Sequence, residues 1–209
     1  MIRIALTTTL MAVAALALAA CGGGGSTTTK TVAAPSTRPV SNTGIAPLDQ
    51  VLDASLKPDS IEMARLTGYA KVPCAATAEA DHPACREDEQ PDTKVEVLPK
   101  LGCTDTGFVR PEDVPEAYAA AVGKSPELTA VYQPLDGTAK WGENYVAVFT
   151  TGKHEGGSTA GAALHLHDGR IVALEDDCGD LLHLLDASRV GTWVLQPGSS
   201  AAAVPTGTP

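Results

Sequence analysis

The sequence predicts an α+β domain: a small antiparallel sheet built as a meander, with a few short helices on one side and disulfides bracing it. Three observations carry this. Helical spacing of apolar residues is confined to short segments in the first two thirds of the chain. From residue 129 onward the apolar residues instead form short β-branched or aromatic runs. Two of those runs flank Asp168-Gly169, a dipeptide that suits the positive φ angles of a two-residue hairpin turn.

Taken in order, the first helix is expected over 47–56. Pro47 suits a first turn, Leu48, Val51, Leu52 and Leu56 share a face, and Pro58 ends the run. Residues 60–67 form a second short helix before Gly68, and 71–93 an irregular excursion. A short strand follows at 95–98. The clearest helix spans 114–122, where Val114, Ala117, Tyr118, Ala121 and Val122 recur at i, i+3, i+4, i+7 and i+8 before Gly123. Asp113 and Glu116 have the spacing of a capping box. Strands are then expected at 129–133 and 145–151, the second apolar on both faces. The hairpin pairs 162–167 with 170–175, setting Arg170 opposite His167 and Val172 opposite His165. Residues 180–188 are a short helix or turn, and 192–195 the last strand.

Outside this domain, placed at 47–196, the two ends differ in kind. Residues 1–20 carry one positive charge, Arg3, then an apolar run of about 11 residues that is too short for a comfortable bilayer span, as expected of an export signal. That run ends in Leu18-Ala19-Ala20-Cys21, which resembles the lipobox of bacterial prolipoproteins: an aliphatic residue, two small residues, then cysteine. The resemblance implies that residues 1–20 are removed and that the Cys21 thiol receives a diacylglyceryl group, its acyl chains of the palmitate kind. The mature protein would then be held to a membrane in the cell envelope, on its extracytoplasmic side, by two buried acyl chains. Residues 21–46, the lipidated cysteine and a Gly/Ser/Thr/Pro stretch, cannot bury a core and read as a flexible tether reaching roughly 25–30 Å. Residues 197–209 read as a disordered tail.

Of the five cysteines, four remain after Cys21: Cys74, Cys85, Cys103 and Cys178. An even number in an exported chain points to two bridges, with Cys74–Cys85 and Cys103–Cys178 favoured among the three possible pairings. The first closes a short acidic loop, and the second closes a long one, which in the chain-entropy model contributes about 4 kcal/mol. No spacing among the four matches a zinc signature, and there is no redox CxxC.

The formal charge of −10 argues against nucleic acid as a partner, and loss of Arg3 with the leader deepens it to −11. The acidic run Asp81, Glu87, Asp88, Glu89 and Asp92 lacks the alternating ligands and central glycine of an EF-hand loop and reads as a solvated surface.

Two groupings bear on chemistry. His165 and His167 lie two apart on a strand and therefore share a face. With His183 or Asp177 completing the set, they would suit zinc or copper, although Arg170 beside His167 would repel a cation. Residues 156–160, Gly-Gly-Ser-Thr-Ala, approach a nucleophile elbow at Ser158 but lack its last glycine and its following helix. No catalytic set emerges. The expectation is therefore an envelope lipoprotein whose domain is a non-catalytic binding or accessory module with an envelope protein as partner; the alternative is a metal-binding lipoprotein.

Overall fold

The hairpin at Asp168-Gly169 forms as its dipeptide demands. Asp168 and Gly169 adopt φ of 47° and 74°, and His167 pairs with Arg170 across the turn. The computed structural model describes residues 42–57, 59–79, 81–102, 107–153, 157–177 and 179–198. Cys21, the expected leader and the tether up to residue 41 lie outside the described residues, as do Cys103, Cys178 and residues 199–209 of the tail.

Four consecutive strands make the expected antiparallel meander: β4 (Glu127–Pro134), β5 (Tyr145–Lys153), β6 (Thr159–His167) and β7 (Arg170–Asp176). The sheet is larger and less uniform than the sequence suggests. β8 (Val190–Leu195) returns to pair with β4, so the last strand forms the edge next to the first strand of the meander. On the other side β2 (Lys94–Leu101) joins β7 in parallel, through Lys100–Leu174 and Leu101–Glu175. β1 (Ala70–Pro73) and β3 (Gly107–Val109) both pair with β2. The result is a mixed eight-stranded sheet in the order β1-β2-β7-β6-β5-β4-β8, with β3 on β2. The all-antiparallel expectation fails at one junction, because β2 arrives from a connection that no hairpin signal marks.

Helices cover the two faces unequally. α1 (Ala46–Leu56), α2 (Ser60–Arg65) and α3 (Val114–Val122) pack on one face. There Leu48, Val51, Leu52, Tyr118 and Val122 meet Ala147, Phe149, Leu164, Leu166, Ile171 and Leu174 in the main core. Among the described residues one short helix, α4 (Leu181–Leu184), sits on the opposite face, where Leu184 packs with Ala130, Tyr132, Val146, Val148 and Ala163. Helices on one side only was therefore too simple. The Asp113 cap also fails. Asp113 is already in a helical conformation, φ −93° and ψ −9°, within a turn that leads into α3, so its side chain makes no capping bond.

Cys74 and Cys85 form the expected disulfide, tying the end of β1 across the acidic excursion. Part of that excursion's charge is paired: Glu89 holds Arg110 at 2.7 Å, and Arg86 pairs with Glu112.

The hairpin turn also seats α1. A Cβ added at Gly169 would lie 2.6 Å from the Pro47 Cβ, at a φ that side chains rarely adopt. Gly169→Ala is therefore expected to destabilise the domain by about 2 kcal/mol, read as a shift in the denaturant midpoint. Gly137→Ala, at another positive φ but with nothing within 4 Å, should cost less.

Candidate functional site

The arrangement that collects buried charge begins with one extra residue in β7. His165 pairs with Ala173 while Leu166 pairs with Ile171, so Val172 is a bulge. The sequence places Val172 opposite His165; the bulge displaces it. Because side chains alternate across a strand, one inserted residue moves everything beyond it to the other face. Glu175 thus comes opposite Ala163, on the same face as His165. In an unbulged hairpin Leu174 would take that place, and Glu175 would point into the apolar core beneath the helices.

Two further segments complete the cluster. The connection between β4 and β5, residues 135–144, lowers Glu143 and Trp141 onto this face, and the turn before β8 supplies Arg189. His165, 1% exposed, has Nδ1 3.0 Å from Glu143 Oε1 and Nε2 2.9 Å from Glu175 Oε2. Glu143 and Glu175 are themselves 5% and 6% exposed. Arg189 grips Glu175 with two bonds, Nη1 to Oε1 at 2.9 Å and Nη2 to Oε2 at 2.6 Å. The Trp141 backbone N–H donates to Glu143 Oε2 at 2.8 Å, and its indole meets the His165 ring edge-to-face, centroids 4.7 Å apart.

A carboxylate only accepts, so an imidazole between two of them satisfies both only when each ring nitrogen carries a proton. His165 is then a cation, and two cations, His165 and Arg189, balance the two carboxylates. The direction of each titration agrees. Burial opposes charge on His165, but hydrogen bonds to Glu143 and Glu175 outweigh it and hold its pKa above the ordinary 6.5. Burial likewise opposes charge on Glu175, yet bonds from His165 and Arg189 bring its pKa down to about 2. For Glu143, burial is again outweighed, by His165 and by backbone N–H groups, leaving its pKa below the usual range.

The remaining residues singled out in the sequence go elsewhere. His167 is exposed, with Nδ1 2.5 Å from the Gly142 carbonyl oxygen. His183 is exposed on α4, and the aspartates flanking it accept bonds from backbone N–H groups: Asp180 from Leu182 at 2.9 Å and Asp186 from Ser188 at 2.8 Å. Asp177 is buried, and its Oδ1 accepts from the Gly179 N–H at 3.0 Å. Among the described residues no three His, Cys, Asp or Glu side chains are grouped to hold a metal ion. Ser158 is exposed and leads into strand β6, where an elbow would lead into a helix. Of the predicted metal set, then, only His165 joins the charged cluster. Glu143, Glu175 and Arg189 were missed, because they lie in different segments and share no spacing.

Beside the cluster, residues 135–144 form one wall of an open groove of about 510 Å³. Its other walls are Gln133 and Pro134 at the end of β4, and Gly191 and Thr192 of β8. Glu143 lines the groove as well as the cluster. No known family, curated protein or solved structure matches this chain.

Removing one member of a buried, balanced set strands the opposite charge. Arg189→Met is therefore expected to cost about 3–5 kcal/mol in a denaturant titration, whereas Arg65→Ala, at an exposed pair with Glu62, should have a much smaller effect. Glu175, ordinarily at 4.5 and lowered to about 2 in the fold, contributes stability that is complete above 4.5. That contribution should fall away as pH drops toward 2, and thermal melts across this range should show less of the loss in Glu175→Gln.

Proposed function

We propose that this chain is a lipid-anchored envelope protein whose folded domain is a non-catalytic binding or accessory module. The observation that carries the non-catalytic reading is the state of His165, the most buried histidine among the described residues. Both nitrogens of His165 are committed to carboxylates, and both oxygens of its partner Glu175 are held by Arg189. A general base needs a free lone pair within reach of a substrate proton. The His165 proton serves the fold instead.

Anchoring rests on Cys21 and the residues before it. Among the described residues no helix is long and apolar enough to cross a membrane. In this reading the acylated Cys21 is the attachment. In the same reading the Gly/Ser/Thr/Pro residues that follow Cys21 serve as a tether, and the acidic charge of the domain limits adhesion to anionic head groups. The partner is a protein of the same envelope.

Cys21→Ser should abolish incorporation of labelled fatty acid and move the protein from the membrane to the soluble fraction, while the folded domain is unchanged. Retention of the label in that variant would overturn the anchor. The accessory role predicts that a partner cross-linked to the wild-type protein in membranes is still captured by a folded His165→Gln variant. An enzymatic activity that disappears in that variant would contradict the role.

A further inference from the structure

The two histidines that share a strand face do share a task, but the object they hold is the chain itself. Each reaches residues 135–144: His165 binds the Glu143 carboxylate, and His167 meets the Gly142 carbonyl. Trp141 lies against the His165 ring between these contacts. The segment is thus fastened at its C-terminal end to β6, and its outer side forms the wall of the groove.

The ends of the segment are also tied without the histidines: Leu135 N–H donates to the Arg189 carbonyl at 2.9 Å, Asn144 N–H to the Leu166 carbonyl at 2.9 Å, and Asn144 Nδ2 to Asp168 Oδ1 at 3.1 Å. The two histidine fastenings differ in kind. His167 is exposed, so water can replace its bond. At His165 nothing replaces a lost proton. A neutral ring can donate from only one nitrogen, and the other would then turn a lone pair toward a carboxylate. The charged groups around the ring are Glu143 from the β4–β5 connection, Glu175 from β7 and Arg189 from the turn before β8, with the Tyr132 phenol of β4 nearby. Without the proton on His165, Arg189 alone faces two carboxylates. Glu175 stays, held by both arms of Arg189. Glu143 is the member on a surface connection, and water can receive it.

We infer that residues 135–144 form a proton-dependent strap, held down while His165 is a cation and released, with the groove wall it forms, when His165 becomes neutral. The sign follows from the contacts. The carboxylates favour the charged ring, so the closed strap is fully stabilised below 6.5 and is lost as pH rises through the higher pKa of the folded protein. Tyr132, buried and raised to about 12, does not titrate within that window.

The test uses the full chain with Trp193→Phe, which leaves Trp141 as its indole, titrated from pH 6 to 10. A protonated imidazole quenches an indole it touches, so Trp141 emission should rise in one step with its midpoint above 6.5. Hydrogen exchange, corrected for its intrinsic pH dependence, should show residues 135–144 opening about tenfold more per pH unit through the step, as release of one proton requires. Residues 159–176 should stay protected. His165→Gln should remove the step and leave the strap open throughout, while His167→Gln should keep it. Should His165→Gln not fold, Glu143→Gln serves: with one carboxylate gone, the step in Trp141 emission should move to lower pH. The inference is overturned by a Trp141 signal and strap exchange that stay flat to pH 10, by a step that survives His165→Gln, by an unmoved step in Glu143→Gln, or by strap and sheet opening together.

Discussion

Two carboxylates within 3.0 Å of opposite sides of one buried imidazole leave that ring a single satisfactory state, the doubly protonated cation. Much of this face of the domain is arranged around that requirement. The bulge at Val172 exists on the strand that must deliver Glu175, and without it the carboxylate would enter the apolar core. Arg189 balances the second negative charge. The connection between β4 and β5 supplies both Glu143 and the aromatic cover, Trp141. A buried set of this kind is weak evidence of net stability, because desolvation opposes it. Its stronger effect is on register and position: one bulge and one connection are compatible with it, and their alternatives strand a charge.

The two faces of the sheet therefore carry different kinds of order. Beneath α1, α2 and α3 the core is aliphatic and aromatic, and burial of side chains such as Leu52, Phe149 and Leu164 supplies most of the stabilisation at roughly 1.5–3 kcal/mol each. Among the described residues the opposite face has only the short α4 and a smaller apolar cluster, and the charged group fills the area that helices leave uncovered. At the β1 end of the sheet, where the apolar cluster is smallest, the Cys74–Cys85 bridge adds a covalent tie between β1 and the excursion leading to β2.

What the sequence makes legible is what neighbours decide. The Asp168-Gly169 hairpin and the meander around it follow from local turn chemistry and from β-branched runs, and α1 and α3 from apolar spacing at short range. The parallel contact of β2 with β7 involves residues more than seventy apart, and no local pattern marks it. The bulge is also silent, since Arg-Ile-Val-Ala-Leu-Glu reads equally well in either register. That one residue decides the site. With Val172 in line, His165 and His167 look like a ligand pair; with Val172 displaced, His165 finds Glu175 and joins residues from two other segments. Glu143 and Arg189 look like ordinary surface charges until the fold closes over them.

The central claim, that His165 is held as a cation by two carboxylates inside the fold, is tested most directly by nitrogen NMR of the imidazole side chains at pH 7. The account predicts that His165 shows two protonated ring nitrogens, each with a slowly exchanging N–H, at a pH where an ordinary histidine is mostly neutral. A neutral His165 ring, with one protonated nitrogen and one bare lone pair at pH 7, would contradict it.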